Sequence, residues 1–278
     1  SVRYFVDGLL NKDRFIDYIE NFILFENQRI KIIAKNHQYL GVNNLMESVE
    51  NRKELNGKLG VFWHTQGSGK SYSMVIFARK VKRKIQGNFS FLIITDREDL
   101  DTQIHKNFVR TEVIGSKEEC QPKDSKQLRD FLTTNKAFIF TLIHKFRYDK
   151  TKKYPVLSTR DDIIVLVDEA HRSIYQKYGD LFEYFDSLIL GLTATPKDEI
   201  DRNTFKVFDM NSKEPTDSYD LFEAAKDKYL LLPKIKEGTL NYPENGIVYS
   251  KLSEEEKEKL LHSAETIKEN TRKGLEHA

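Results

Sequence analysis

Two short segments carry groups able to act on a phosphate ester. The first is His64-Thr65-Gln66-Gly67-Ser68-Gly69-Lys70-Ser71, which lies between an apolar run and an amphipathic stretch. Glycines let a backbone approach phosphate oxygens closely and turn its N–H groups inward. A helix starting at the lysine adds the partial positive charge of its N-terminus. In that arrangement Thr65, Gln66, Gly67, Ser68 and Gly69 wrap the phosphates. Lys70 reaches the β- and γ-phosphates, and the Ser71 hydroxyl is placed to ligate Mg²⁺. The strict pattern begins with glycine, where this chain has His64. Over these residues alone a glycine-rich turn with a surface lysine reads the same, so the strand before and the helix after decide between them.

The second segment is Asp168-Glu169-Ala170-His171, which ends the run Ile163-Ile164-Val165-Leu166-Val167. Acids at the end of a buried strand are costly unless they have partners. Asp168 suits a hydrated Mg²⁺, held through water. Glu169 can accept the proton of a water attacking the γ-phosphate. His171, next to the pair, is placed for sensing or coupling. Two acids capping a helix are the plainer alternative for either residue alone.

Both segments need rigid supports. The apolar runs Leu59–Trp63, Phe91–Thr95, Ala137–Thr141, Ile163–Val167 and Leu188–Thr193 show little period-two alternation, as strands buried on both faces do. Amphipathic stretches over 70–85, 97–109 and 125–133 read as crossover helices, and part of 174–186 reads as helical. The alternation predicts an α/β fold, a parallel sheet between two helical layers, with active groups at the carboxyl ends of the strands. Upstream, 11–25 reads as a helix capped by Asn11, with Phe15, Ile19, Phe22 and Ile23 at helical spacing. A second helix is expected over about 29–50, with Gly41 its weak point. Downstream, 219–228 reads as a short helix, and Ser253-Glu254-Glu255-Glu256 is a capping-box signature.

Lys and Arg total 45 against 43 Asp and Glu among 278 residues, so the formal net charge is +2. That excludes a wholly basic coat but leaves room for a local basic groove. A single cysteine, Cys120, rules out an internal disulfide and fits a reducing, cytoplasmic setting. No apolar run is long enough to span a bilayer, so no membrane is expected. The chain starts with Ser and ends near Leu275-Glu276-His277, which reads as a piece of a longer protein with appended vector residues.

Gly191-Leu192-Thr193-Ala194-Thr195-Pro196 ends the next strand. With Gly-Ser-Gly-Lys-Ser and Asp-Glu-Ala-His, this order resembles superfamily 2 helicases and translocases. The resemblance implies a RecA-like, P-loop NTPase fold and ATP as the nucleotide, and makes Thr193 and Thr195 couplers of nucleotide state to DNA grip. The flanks narrow it. Phe62-Trp63 before the phosphate loop, Thr95-Asp96-Arg97-Glu98-Asp99-Leu100-Asp101-Thr102-Gln103, Thr141-Leu142-Ile143-His144-Lys145-Phe146 and Asp168 to Ser173 are similar to the R subunit of type I restriction enzymes. So is Phe15 to Phe25, which resembles the helix joining nuclease to motor there. In that family the position of Asn36-His37-Gln38 reads adenine, which Gln38 can do through its donor and acceptor edge. Arg97, Lys145 and Arg172 become candidate contacts to DNA phosphates, which track a duplex without reading sequence.

The resemblance implies a motor half acting on double-stranded DNA with ATP and Mg²⁺, beside modification and specificity subunits. Residues 1–50 would be a helical extension carrying the adenine-reading segment. Residues 51–235 would be the RecA-like motor domain, and 236–278 a partial connector toward a second half that supplies an arginine. No nuclease Asp…Glu-x-Lys cluster precedes residue 60. Another superfamily 2 helicase or remodeller, or a nucleotide-gated interaction module, remain the competing readings.

Overall fold

Residues 163–167 and 188–193 become strands over the ranges their apolar runs predict, and the other three runs shift by a residue or so. In the computed structural model the order of the main strands is β3 (Lys58–His64), β4 (Ser90–Thr95), β5 (Phe138–Leu142), β6 (Ile163–Val167), β7 (Leu188–Thr193) and β8 (Asp217–Tyr219). The structure describes residues 8, 10–95, 98–115, 117–146, 160, 162–168, 188–193 and 215–232. These lie in a compact unit spanning Ser1–Leu232; a second unit, Pro233–Ala278, lies outside the described residues.

The six strands form one sheet in the order β5-β4-β6-β7-β3-β8, with every pairing parallel. Alternation survives inside the apolar runs. Phe91 and Ile93 of β4, with Ile164 and Leu166 of β6, pack on one face. Leu92 and Ile94, with Val165 and Val167, pack on the other. The first face is covered by α2 (Asn36–Glu50), α3 (Lys70–Lys84) and α4 (Glu98–Arg110), which contribute Val42, Phe77 and Phe108. The second is covered by Leu128 and Leu132 of α6 (Ser125–Thr133), with Ile143 and Phe146 of a 3₁₀ turn, Ile143–Phe146. These are the three layers of the expected α/β sandwich. A short α5 (Lys117–Cys120) precedes α6, and α7 (Leu221–Lys226) follows β8.

The N-terminal extension is not wholly helical. Helix α1 (Lys12–Asn21) starts where expected, with the Asn11 side chain accepting from the Arg14 amide. It stops at Phe22, and an antiparallel hairpin of β1 (Ile23–Glu26) and β2 (Ile30–Ile33) follows before α2. Asn27 and Gln28 between the strands take φ of 48° and 57°, the left-handed pair that makes the tight turn of the hairpin. Phe22 and Ile23 continue the helical spacing of Phe15 and Ile19, so spacing alone hides the break.

Helix α1 is fastened to α3 by Lys80, whose side chain is 8% exposed. Its ammonium donates to both Asp17 oxygens at 2.6 and 2.8 Å and to Asn43 Oδ1 at 2.6 Å. Burial lowers the Lys80 pKa, while Asp17 opposes that shift. Among the described residues no helix is long and apolar enough to cross a membrane. The expected helices at 174–186 and after Ser253 lie outside the described residues.

Candidate nucleotide site

The phosphate loop connects β3 to α3 at the carboxyl edge of the sheet. Gly67 and Gly69 have φ of 81° and 90°, conformations costly for any residue with a Cβ. A Cβ on Gly69 would also lie 2.8 Å from Gln38 Nε2, so the cradle is closed from behind. Gln66 and Gly67 form the exposed tip; Thr65 and Ser68 are buried; Ser71 is half-buried in the first turn of α3. The Lys70 ammonium lies within the curve of the loop, donating to the carbonyl of His64 at 2.9 Å and that of Thr65 at 3.5 Å. A 15-residue helix begins at this lysine, so its N-terminal amides and dipole face the same loop.

Helix α2 supports the loop from behind. His37 Nε2 bonds the Ser68 carbonyl at 2.9 Å. Gln38 Nε2 donates to the Gly69 carbonyl at 3.0 Å and to Ser73 Oγ at 3.4 Å, while its Oε1 accepts the Lys35 amide at 2.9 Å. Both ends of the amide expected to read adenine therefore rest on protein atoms.

His64, the departure from the glycine pattern, is fully buried. As residues 62 and 64 share a strand face, its ring stacks on Phe62 with centroids 3.8 Å apart. His64 Nε2 lies 2.6 Å from Asp217 Oδ2 on β8, and Asn44 of α2 donates to the other Asp217 oxygen at 2.8 Å. Burial holds the His64 pKa below its ordinary value, although Asp217 pulls the other way. Burial thus favours the neutral ring, whose Nε2–H can donate to Asp217. Gly41 makes this packing possible inside an unbroken α2: a Cβ there would lie 2.5 Å from Asp217 Oδ2 and 2.6 Å from Phe62 Cε2. Tyr219, two residues on, stacks on His37 at 3.9 Å and donates to Asp227. Burial and that carboxylate push its pKa well above the usual phenol range. A cleft of about 240 Å³ opens beside these residues, between the start of α2 and the β8–α7 segment. Asp217 and Tyr219 were not legible as site residues, because β8 has three residues and no apolar run.

Asp168 follows β6 and is 7% exposed, its amide bonded to the Ile94 carbonyl. Strand β7 separates β6 from β3, so Asp168 stands two strand spacings, about 10 Å, from the end of β3. Ser71 and Asp168 offer hard oxygen donors at one edge, a set that fits Mg²⁺. Thr193 ends β7 opposite Trp63 and is described by its backbone. Lys145 lies apart, after β5 and four strand spacings, about 20 Å, from β3; its ammonium donates to the Pro122 carbonyl at 2.7 Å. Glu169, His171, Thr195, Arg97 and Arg172 lie outside the described residues.

The model of the SWI2/SNF2 ATPase family matches residues 37–270. The type I restriction enzyme HindI endonuclease subunit of Haemophilus influenzae is 35% identical over 80% of this chain and 23% of its own length. A protein of Methanocaldococcus jannaschii described as the MjaIXP type I restriction enzyme endonuclease subunit is 34% identical over 72% of this chain and 20% of its own length. The chain thus spans about a fifth to a quarter of these relatives. Among solved structures, the UvsW helicase from Bacteriophage T4 superposes with a TM-score of 0.50 at 13% identity, covering 71% of this chain and 65% of that one. That likeness is one of fold, a RecA-like helicase domain.

Proposed function

The chain belongs to the SWI2/SNF2 ATPase family, and on that footing we propose that it is the first motor half of a type I restriction endonuclease R subunit, an ATP-driven translocase on double-stranded DNA. The phosphate loop carries the reading: two left-handed glycines, a lysine inside the curve and a helix N-terminus beneath it. Residues 51–235 are the motor domain in this reading, 1–50 bring the adenine-reading segment, and 236–278 lead toward the second half.

Lys70 exchanges the carbonyls of His64 and Thr65 for β- and γ-phosphate oxygens, so its ammonium has hydrogen-bond acceptors in both states. The loop from Gln66 to Ser71 encloses the phosphates, with Thr65 at its base, and Gln38 turns from Gly69 toward adenine. Ser71, and Asp168 through a water, would hold Mg²⁺, which would supply charge neutralisation on the phosphates. Glu169 takes the proton of the attacking water. His171, Thr193 and Thr195 couple nucleotide state to DNA grip, and Arg97, Lys145 and Arg172 hold duplex phosphates. Sequence choice falls to the modification and specificity subunits, in the cytoplasm. The likeness to restriction endonuclease subunits at 35% identity favours this over another superfamily 2 motor.

The test is DNA-stimulated ATP turnover by the longer protein. Glu169→Gln is expected to slow it about 10²–10⁴-fold while leaving ATP affinity within a few fold. Unchanged turnover would remove Glu169 from its role.

A further inference from the structure

The pair beneath the phosphate loop has no part in the steps above. His64 opens the loop, and Asp217 lies on β8, 153 positions downstream. The two strands pair through Phe62↔Asp217, Trp63↔Ser218 and His64↔Tyr219, and the Thr65 amide continues the ladder to the Tyr219 carbonyl. The backbone thus already joins β8 to the start of the loop. The side chains add direction. Asp217 accepts twice, from His64 Nε2–H and from Asn44 Nδ2–H, and so ties β3, β8 and α2 at one carboxylate. Among the described residues His64 Nδ1 has no hydrogen-bond partner. A lone pair is tolerated there; an N–H would be a buried donor without an acceptor, which is costly. The carboxylate therefore selects one tautomer of His64.

We propose that His64 and Asp217 are positioning residues of the phosphate loop: the Asp217 carboxylate fixes His64 as its Nε2–H tautomer, and the stacked, anchored ring holds Thr65 to Gly69 at the height that meets the triphosphate. This rests on the nucleotide reading of the loop. The ring is sandwiched between that anchor and the rest of the support. It stacks on Phe62, and lies edge-on to His37, which in turn holds the Ser68 carbonyl. A tilt of His64 is therefore passed to both ends of the loop, Thr65 through the backbone and Ser68 through His37. Neither His64 nor Asp217 touches the nucleotide in this scheme. Both act through the loop.

The hydrogen-bond polarity gives a test that general loosening cannot imitate. Asp217→Ala removes the acceptor, so either neutral tautomer of His64 buries an N–H without a partner. Asp217→Asn keeps an acceptor: its amide oxygen takes the Nε2–H of His64, and the exposed Asn44 turns its own amide to accept from the new NH₂. Calorimetric titration with ATP and Mg²⁺ is run on the unsubstituted chain, both of these variants and Asp17→Ala, which loosens the same unit through Lys80, away from the loop. Asp217→Ala is expected to weaken binding about tenfold, Asp217→Asn to stay within about threefold of the unsubstituted chain, and Asp17→Ala to bind normally at a lowered melting temperature. Normal binding by Asp217→Ala overturns the proposal. So does Asp217→Asn binding as weakly as Asp217→Ala, or affinity that simply follows melting temperature across the set. Should Asp217→Ala not fold, Asp217→Asn decides alone: normal binding supports the retained acceptor, and impaired binding or failure to fold overturns the proposal. No binding by the unsubstituted chain would instead overturn the nucleotide reading itself.

Discussion

Substituting Gly69 with alanine challenges the loop at its tightest point. The backbone there has φ 90° and ψ 29°, and forcing an L-residue into the left-handed region costs about 1–2 kcal/mol. The new methyl adds a second cost, since its carbon would lie 2.8 Å from Gln38 Nε2. Gln38 must then give up its 3.0 Å bond to the Gly69 carbonyl, a loss of about 1 kcal/mol. Together these come to about 2–3 kcal/mol. Gly67 is the internal control. Its φ of 81° carries the same backbone strain, but its nearest neighbour, Leu230 Cδ2, is at an ordinary 3.4 Å. Gly67→Ala should therefore cost about 1–2 kcal/mol and leave Gln38 in place. Urea denaturation measures the stabilities, and ATP titration measures how far each loop departs from its binding shape. Gly69→Ala should be the worse of the two by about 1 kcal/mol in stability, and the worse in affinity. Equal costs, or a more damaging Gly67→Ala, would refute the role given to the contact between Gln38 and Gly69.

Three further outcomes follow from other contacts. Asp17→Ala leaves the Lys80 ammonium with Asn43 as its remaining acceptor of the three bonds described; because Asp17 is 23% exposed, the loss falls below the roughly 3–5 kcal/mol of a fully buried pair, at about 2–3 kcal/mol by urea denaturation, and a change under about 0.5 kcal/mol would contradict the pairing. His64 and His37 both bind protons less readily folded than unfolded, chiefly through burial, so the unfolded chain holds more protons just below the ordinary value of 6.5. Their contribution to stability is full above that pH and is lost as pH falls through the depressed folded values, at no more than about 1.4 kcal/mol per pH unit for each histidine; stability that rises from pH 7 to pH 5 would reverse this sign. Gln38→Ala should weaken ATP binding and narrow the preference for ATP over GTP if the amide turns to adenine; an equal loss for both nucleotides would confine Gln38 to supporting Gly69.

How far the sequence carries depends on where each element's information lies. Ile163–Val167 and Leu188–Thr193 were legible to the residue, because a strand buried on both faces must be apolar throughout. The phosphate loop was legible because its glycines and lysine are contiguous. The hairpin at Ile23–Ile33 was hidden, since Phe22 and Ile23 extend the helical spacing of α1 and the turn rests on the left-handed backbone of Asn27 and Gln28, which apolar spacing does not report. Gly41 looked like a weakness in α2; its reason is the Asp217 carboxylate 2.5 Å from where a Cβ would stand. Asp217 carries no local signal, as its strand has three residues and its partner His64 is 153 positions away.

The central claim is that the loop at Lys70 binds ATP with Mg²⁺. It is tested most directly by titrating ATP and Mg²⁺ into this chain and into its Lys70→Ala variant, with urea denaturation to establish that both are folded. Replacing a charge-assisted contact worth about 1.5–3 kcal/mol should weaken binding about tenfold to hundredfold, with the fold intact. Equal affinity of the two folded proteins for ATP would contradict the account.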